Sequence, residues 1–261
     1  MQFSQPSLFL IDVMETQQED NQTVPESVDI FQPIEESQIL LPEQAQCLAV
    51  QALLRMCDVQ FTIQQKKNAE QMFPSGELPF IKTDKAIVSE FEPIVDFLAS
   101  RGKSLSADLS SAQKAELQAY MTLTTNRLYM AKLYISWVVK DNASAISRPR
   151  YGSPHKWPLN HILAWSKQAK IYKKLRVSGW TSKTKEQVYD DIHNCCRSLS
   201  DRIGDQYYFF LDQVTELDAL VYGHLKSMLT TEVDGGELAT VVKGYPRLTR
   251  FCKRIEDRYF S

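Results

Sequence analysis

The chain has 261 residues, of which 43% are hydrophobic and 24% charged, and its formal net charge is -2. This length and apolar content are sufficient for one large globular domain or two smaller ones. No stretch, including the C-terminal end, approaches the roughly 18 to 20 consecutive apolar residues that cross a bilayer, so we expect any membrane attachment to be peripheral.

The charges are strongly segregated along the chain. Residues 1–36 hold eight acidic side chains and no Lys or Arg, whereas residues 142–185 hold ten basic side chains and no Asp or Glu. The first segment is unlike an Arg-rich matrix-targeting presequence and lacks the basic start of a secretory signal. We predict that residues 1–36 form a largely disordered acidic tail and that the protein stays on the cytosolic side of membranes.

The cysteine pattern is typical of a reducing compartment. The five cysteines form an odd set without Cys-x-x-Cys spacing. They are Cys47, Cys57, Cys195, Cys196 and Cys252. The run 193–196 combines His and Cys, but no second cluster completes a tetrahedral metal site. We interpret the cysteines as structural and predict neither a metal centre nor a cofactor.

The first ordered elements alternate between strands and helices. A strand is predicted at 38–41, and apolar residues at the spacing of one helical face predict a helix over 43–57. Alternation predicts a strand over 60–65, followed by two strands within 79–90 and a helix over 93–100. The order β-α-β-β-β-α is that of a thioredoxin-like domain, which we assign to residues 37–102.

Pro79 lies inside the third predicted strand, where a proline removes a hydrogen-bond donor. Two explanations stay open from this segment. Pro79 belongs either to an edge strand with a trans bond, or to a cis bond with Leu78 that bends the strand and exposes backbone groups to a ligand.

After Gly102 the sequence becomes helical in character. Residues 111–139 contain neither Pro nor Gly, which predicts one long helix, and amphipathic helices are predicted over 160–177 and 185–203, with a loop over 148–158. Thr215 and Asp218 have the spacing of a capping box that opens a further helix. We assign residues 103–261 to an all-helical C-terminal domain.

A thioredoxin-like half joined to an all-helical half with a Thr-x-x-Asp capped helix resembles the glutathione transferase fold. Six separated strings make the resemblance more specific. They are EQA and LAVQA within 43–52, PSG at 74–76, YGSP at 151–154, WPLNHILA at 157–164, TELDALVYGHL at 215–225 and FCKRIE at 251–256. Together they resemble the metaxin family, and within it the second paralogue, over residues 38–260.

The resemblance implies a non-enzymatic protein on the cytosolic face of the mitochondrial outer membrane. It implies association with the sorting and assembly machinery that inserts β-barrel proteins, and pairing with the first metaxin paralogue, whose membrane anchor would tether this chain. An alternative task is that of an adaptor that couples mitochondria to transport motors through motor-adaptor or outer-membrane GTPase proteins.

The residues at the transferase positions argue against an enzyme. Transferases of this fold place a hydroxyl or thiol at the start of the first helix to stabilise a thiolate, whereas this chain has Glu43 and Gln44. In transferases a Gln/Glu-Ser pair binds the γ-glutamyl carboxylate of glutathione. This chain has Ser89-Glu90 there, so the carboxylate of Glu90 would repel the carboxylate of the ligand. We predict a degenerate ligand site at Glu43, Gln44 and Glu90, and structural roles for Pro79, Thr215 and Asp218. A glutathione-dependent transferase is the less favoured alternative.

The basic segment 142–185 has aromatic residues interleaved with its charges. This pattern suits phosphate neutralisation and base stacking, but the family resemblance favours a contact with lipid headgroups, and we predict no nucleic-acid partner. A membrane, an acidic partner and the acidic tail of the chain itself stay open as its contact. The candidate contact residues are Arg148, Arg150, Lys156, Lys167, Lys170, Lys173, Lys174 and Arg176.

Overall fold

The structure, a computed structural model, describes residues 27–261 except residues 68, 74 and 234. Its N-terminal part is a four-stranded sheet with helices. The elements are β1 (Val28–Gln32), α1 (Leu41–Met56), β2 (Phe61–Gln65), β3 (Phe80–Lys82), β4 (Ile87–Ser89) and α2 (Phe91–Ala99). The strand order is β2-β1-β3-β4, and β1 and β2 are parallel while the other pairs are antiparallel. The predicted thioredoxin-like arrangement is thereby confirmed.

The first strand lies earlier in the chain than predicted. Residues 38–40 form no strand, and α1 already begins at Leu41. The strand is β1, which falls inside the segment 1–36 that we assigned to the tail. β1 pairs with both β2 and β3 in the middle of the sheet, and its residues Val28 and Ile30 are fully buried in the hydrophobic core. The tail prediction is wrong for this strand, and residues 1–26 lie outside the described part.

The C-terminal half consists of helices. They are α3 (Ser111–Thr124), α4 (Met130–Trp137), α5 (Lys140–Asn142), α6 (Arg148–Gly152), α7 (Leu159–Val177), α8 (Lys185–Ile203), α9 (Glu216–Thr230), α10 (Glu237–Lys243) and α11 (Pro246–Tyr259). The predicted helix over 111–139 is divided by a π-helical turn, Thr125–Tyr129. The predicted loop over 148–158 is wrong at its start, because α6 continues directly from the π-helical turn Ala143–Ser147 and contains Pro149.

The capping box predicted for Thr215 and Asp218 opens α9. The amide and the hydroxyl of Thr215 each donate to Oδ2 of Asp218 at 2.8 Å, and the amide of Phe209 donates to Oδ1 at 3.1 Å. Burial raises the pKa of Asp218 to about 6, although these hydrogen bonds oppose the shift. The box therefore fixes both the start of α9 and the chain that leads into it.

A second polar pair lies deeper in the helical core. Lys132 of α4 and His224 of α9 are both fully buried, and Lys132 Nζ is 2.9 Å from His224 Nδ1. Burial lowers the pKa of Lys132 to about 7. Burial and the neighbouring Lys132 together hold the pKa of His224 well below its ordinary value. The pair thus joins two helices through a hydrogen bond inside an apolar core.

Candidate functional site

A cleft between the two halves lies at the N-terminal end of α1. Its walls are the first turns of α1, the loop that precedes β3, the π-helical turn with α4, and α7. The lining residues are Pro42, Glu43, Gln46, Gly76, Glu77, Leu78, Tyr129, Leu133, Lys167, Lys170, Ile171 and Lys174. Carboxylates of the thioredoxin-like half therefore face lysines of the helical half.

The bond between Leu78 and Pro79 at this cleft is cis. Of the two explanations left open by the sequence, the structure contains the cis one. Pro79 directly precedes β3, so Leu78 lines the cleft while Phe80 enters the sheet.

Glu43 occupies the first turn of α1, where a transferase holds its thiol-activating group. Its Oε2 atom is buried and has no hydrogen-bond partner among the described residues. Burial raises the pKa of Glu43, and Lys167 opposes this shift. Burial and the charge of Glu43 also raise the pKa of Cys47 well above its ordinary value. This environment disfavours a thiolate.

Lys167 crosses the cleft from α7 and neutralises part of this negative charge. Its Nζ lies 2.9 Å from Oε1 of Glu70, and both side chains are largely buried. Burial and the nearby charge of Glu70 raise the pKa of Tyr151. Burial by itself lowers the pKa of Lys167, but Glu43 and Glu70 raise it above its ordinary value overall. The ion pair therefore ties the helical half to the 3-10 segment Ala69–Met72.

A second, more exposed ion pair lies beside the first. Lys170 Nζ is 3.4 Å from Oε1 of Glu77, with the side chains 59% and 33% exposed. The sequence pattern predicts contact roles for these lysines but singles out neither of their acidic partners. The available signal was the spacing of Lys167 and Lys170, which puts both on one side of a helix.

The three residues predicted for the degenerate site do not share one cavity. Glu43 lines the cleft, whereas Gln44 lines a separate cavity together with Ser136 and Arg150. Glu90 is exposed and lies in a neighbouring cavity that it shares with Lys174.

The residue that begins α2 is apolar. Glu90 has a φ of 71°, which is uncommon for a residue other than glycine, and α2 begins at Phe91 directly after it. Phe91 is buried. The first position of this helix therefore offers no side-chain hydroxyl for a carboxylate ligand.

Part of the basic segment serves contacts within the chain. Besides the two ion pairs of α7, Arg150 donates to the carbonyl oxygens of Ile39 and Glu36, each at 3.0 Å. Lys174 Nζ lies 5.1 Å from the centre of the Tyr129 ring. Four of the eight candidate contact residues thus stabilise the chain itself.

The remaining candidates lie at the surface. Lys156, Lys173 and Arg176 are exposed, and no described carboxylate lies within 4.0 Å of them. Arg148 is half-buried and lies over the Trp165 ring at 5.5 Å. Lys156, Lys173 and Arg176 are thus the exposed candidates that are left available to an external anion.

The described part of the chain contains neither a cluster of metal ligands nor an exposed thiol. No group of three or more His, Cys, Asp or Glu is placed there to hold a metal ion. All five cysteines are free and buried. Within the same residues, no helix combines the length and the apolar character that crossing a membrane requires.

Solved glutathione transferases share this fold. A glutathione S-transferase of Methylobacterium radiotolerans JCM 2831 aligns with a TM-score of 0.58 at 13% identity, covering 89% of this chain and 91% of that chain. A glutathione transferase family member of Pseudomonas fluorescens Pf-5 aligns with a TM-score of 0.58 at 12% identity, covering 92% of this chain and 93% of that chain. A family profile described as glutathione S-transferase, C-terminal domain, matches residues 192–255. The glutathione-transferase-like fold is confirmed.

Sequence relatives are more specific. A profile described as outer mitochondrial membrane transport complex protein matches residues 47–168. Human metaxin-2 is 48% identical over 237 residues, which cover 91% of this chain and 90% of that protein. The chain belongs to the metaxin family. Mouse metaxin-1 is 28% identical over 220 residues, covering 82% of this chain and 69% of that protein, so the resemblance to the second metaxin paralogue is confirmed.

The two family profiles divide this metaxin chain into parts. The transport-complex profile spans 47–168, which includes most of α1, the strands β2, β3 and β4, and Lys167. The transferase profile spans 192–255, which lies within α8 to α11. The transport-complex match therefore contains Glu70, Glu77 and Lys167, whereas the transferase match contains no lining residue of the cleft.

Proposed function

We propose that this chain is a non-catalytic subunit of an outer mitochondrial membrane transport complex that acts in protein import and in the sorting and assembly of β-barrel proteins. The observation that carries the proposal is membership of the metaxin family, together with the transport-complex profile over residues 47–168. The chain would act by holding partners together rather than by transforming a substrate.

The chemistry of the cleft supports the non-catalytic part of this proposal. Glu43 disfavours a thiolate at the position where a transferase would stabilise one, and the Lys167–Glu70 ion pair crosses the space beside it. Phe91 supplies no hydroxyl at the start of α2. The transferase fold is thus retained as a scaffold with its ligand-binding groups replaced.

A metaxin-1-type protein is the proposed partner. Metaxin-1 and metaxin-2 are both relatives of this chain, and the family resemblance implies that the first paralogue carries the anchor of the pair. We place the chain peripherally on the cytosolic face of the mitochondrial outer membrane, held there by that partner.

Quantitative affinity purification tests the proposal. The tagged full chain is recovered from mitochondria in mild detergent, with a tagged, unrelated outer-membrane protein as the control. We expect the metaxin-1-type partner and β-barrel assembly components to be enriched together. Recovery of motor light chains or an outer-membrane GTPase without those components would instead support the adaptor task. Retention on glutathione resin with turnover of a thiol substrate would support a transferase.

A further inference from the structure

Four large apolar side chains are exposed around the start of α7. Trp157 in the preceding loop is 79% exposed, and Leu159, Ile162 and Trp165 are 47%, 59% and 63% exposed. Single exposed apolar residues are ordinary, but four large ones within nine positions form a patch that soluble surfaces seldom leave in water. Such a patch indicates an interaction surface.

The helical spacing aligns this patch with the outward-facing cations. Positions 162, 165, 169, 173 and 176 follow one side of α7, opposite the buried Ala164, Ile171 and Leu175. This side is apolar at Ile162 and Trp165 and basic at Lys173 and Arg176. We call Trp157, Leu159, Ile162, Trp165, Lys156, Lys173 and Arg176 the α7 face.

The charged residues of the α7 face itself are all cations. Residues 142–185 contain no Asp or Glu, and no described carboxylate from elsewhere lies within 4.0 Å of Lys156, Lys173 or Arg176. Arg148 adds a further cation over the Trp165 ring. Lys167 and Lys170 of the same helix have carboxylate partners and Lys174 lies over the Tyr129 ring, so Lys173 and Arg176 are the cations of α7 that remain for an external anion.

The composition of the α7 face favours a lipid surface over a protein surface. Trp is enriched at membrane–water interfaces, where its ring lies at the level of the headgroups. Anionic headgroups attract Lys and Arg, whereas the cores of protein interfaces are depleted in Lys. A helix of 19 residues with this face outward can lie flat on a bilayer.

We propose that the α7 face binds directly to the surface of an anionic phospholipid membrane, with the apolar residues in the interface and the cations at the headgroups. The inference rests on the proposed function and deepens it. The chain then contacts the outer membrane itself, in addition to the tether supplied by its partner.

Vesicle binding by the purified full chain, without any partner, tests the proposal. We expect co-sedimentation with phosphatidylcholine vesicles that contain phosphatidylserine, little with phosphatidylcholine alone, and weaker binding as salt increases. Lys173→Gln with Arg176→Gln should lower the partition coefficient about tenfold or more. The matched control, Lys243→Gln with Lys253→Gln, neutralises two exposed lysines elsewhere and should leave it unchanged.

The tryptophans provide a second readout of the same contact. Trp137 and Trp180 are buried, whereas Trp157 and Trp165 lie in the α7 face, and these are all four tryptophans of the chain. Vesicle binding should therefore shift the emission to shorter wavelength and protect it from an aqueous quencher. Binding without either change would show that another surface is involved and would overturn the proposal.

The double variant Trp157→Ala with Trp165→Ala separates this inference from the proposed function. Its matched control is Tyr207→Ala with Leu211→Ala, which removes two side chains that are 62% and 61% exposed elsewhere. Circular dichroism verifies that each variant is folded. Loss of vesicle binding with partner recovery in detergent intact supports the proposal.

Other outcomes have distinct meanings. If the unaltered chain does not bind anionic vesicles, the lipid proposal fails. If the tryptophan variant then also loses its partners in detergent, the α7 face is a protein interface and the proposed function stands. If the chain binds vesicles through this face but recovers no transport-complex partner, the proposed function fails and the lipid contact stands.

Discussion

Gly223 of α9 lies against the backbone of Ala49 in α1. A Cβ atom added to Gly223 would come within 2.7 Å of Ala49 Cα and 2.5 Å of the carbonyl oxygen of Ala45, and it would also meet the Ala49 amide nitrogen. The two helices therefore cross at a distance that only glycine permits. Because α1 belongs to the sheet half and α9 to the helical half, this crossing joins the two halves of the chain.

Gly223→Ala is expected to destabilise the protein. The added methyl group forces α1 and α9 apart, which should lower the free energy of unfolding by about 1–3 kcal/mol. Urea unfolding followed by tryptophan fluorescence measures the change. Ala115→Ser on the exposed side of α3 is the control and should change it by less than about 0.5 kcal/mol. Unchanged stability of Gly223→Ala would contradict the close crossing.

The buried Lys132 is expected to make stability rise with pH above neutrality. Its pKa is about 7 in the folded protein, compared with an ordinary value of 10.5. Between these values the unfolded chain holds more protons, so the free energy of unfolding increases with pH, and below the folded pKa this contribution is constant. The expected slope from this group is about 1 kcal/mol per pH unit.

The double variant Lys132→Met with His224→Leu isolates this contribution, because it removes both polar partners together. The difference in unfolding free energy between the unaltered protein and the variant should grow with pH from neutrality upward. Lys253→Met, at an exposed position, is the control and should leave the pH dependence intact. A constant difference across this window would show that Lys132 titrates normally.

Removal of the Asp218 carboxylate is expected to be costly. Asp218→Ala leaves the amide and hydroxyl of Thr215 and the amide of Phe209 without their acceptor. The loss should be about 2–4 kcal/mol, measured by urea unfolding at neutral pH. Asp212→Ala, an exposed carboxylate close by in sequence, is the control and should have little effect.

The pKa of Asp218 predicts a pH dependence in the acid range. It is about 6 in the folded protein against an ordinary value of 3.8. Between these values the folded state holds more protons, so the contribution of Asp218 to stability declines as pH rises and is constant above the folded pKa. Asp218→Asn should abolish this decline in unfolding experiments, whereas Asp212→Asn should preserve it.

The two ion pairs of the cleft should contribute very different amounts to the free energy of unfolding. Lys167→Met leaves Glu43 and Glu70 without their buried cation and should cost about 3–5 kcal/mol. Lys170→Met breaks the exposed pair with Glu77 and should cost less than about 1 kcal/mol. Thermal and urea unfolding compare the two directly. Equal losses would mean that the Lys167 pair is as solvated as its neighbour.

Local patterns were sufficient for most elements of the fold. The strand predicted over 60–65 and the helix over 185–203 were found because their periodicity is local, and the capping box at Thr215 was found by its spacing. The strand β1 is not predicted, because the two strands that pair with it are distant in sequence. The acidic residues and prolines around it indicated a tail.

The metaxin family resemblance, the glutathione-transferase-like fold and the lack of Asp and Glu across 142–185 all follow from the sequence. Which cations of that segment have a carboxylate partner depends on the tertiary contacts. Lys167 and Lys170 meet Glu70 and Glu77, whereas Lys173 and Arg176 remain outside with Trp165. Helical spacing defines the faces of α7, but the carboxylates of Glu70 and Glu77, which pair with one of these faces, come from a distant part of the sequence.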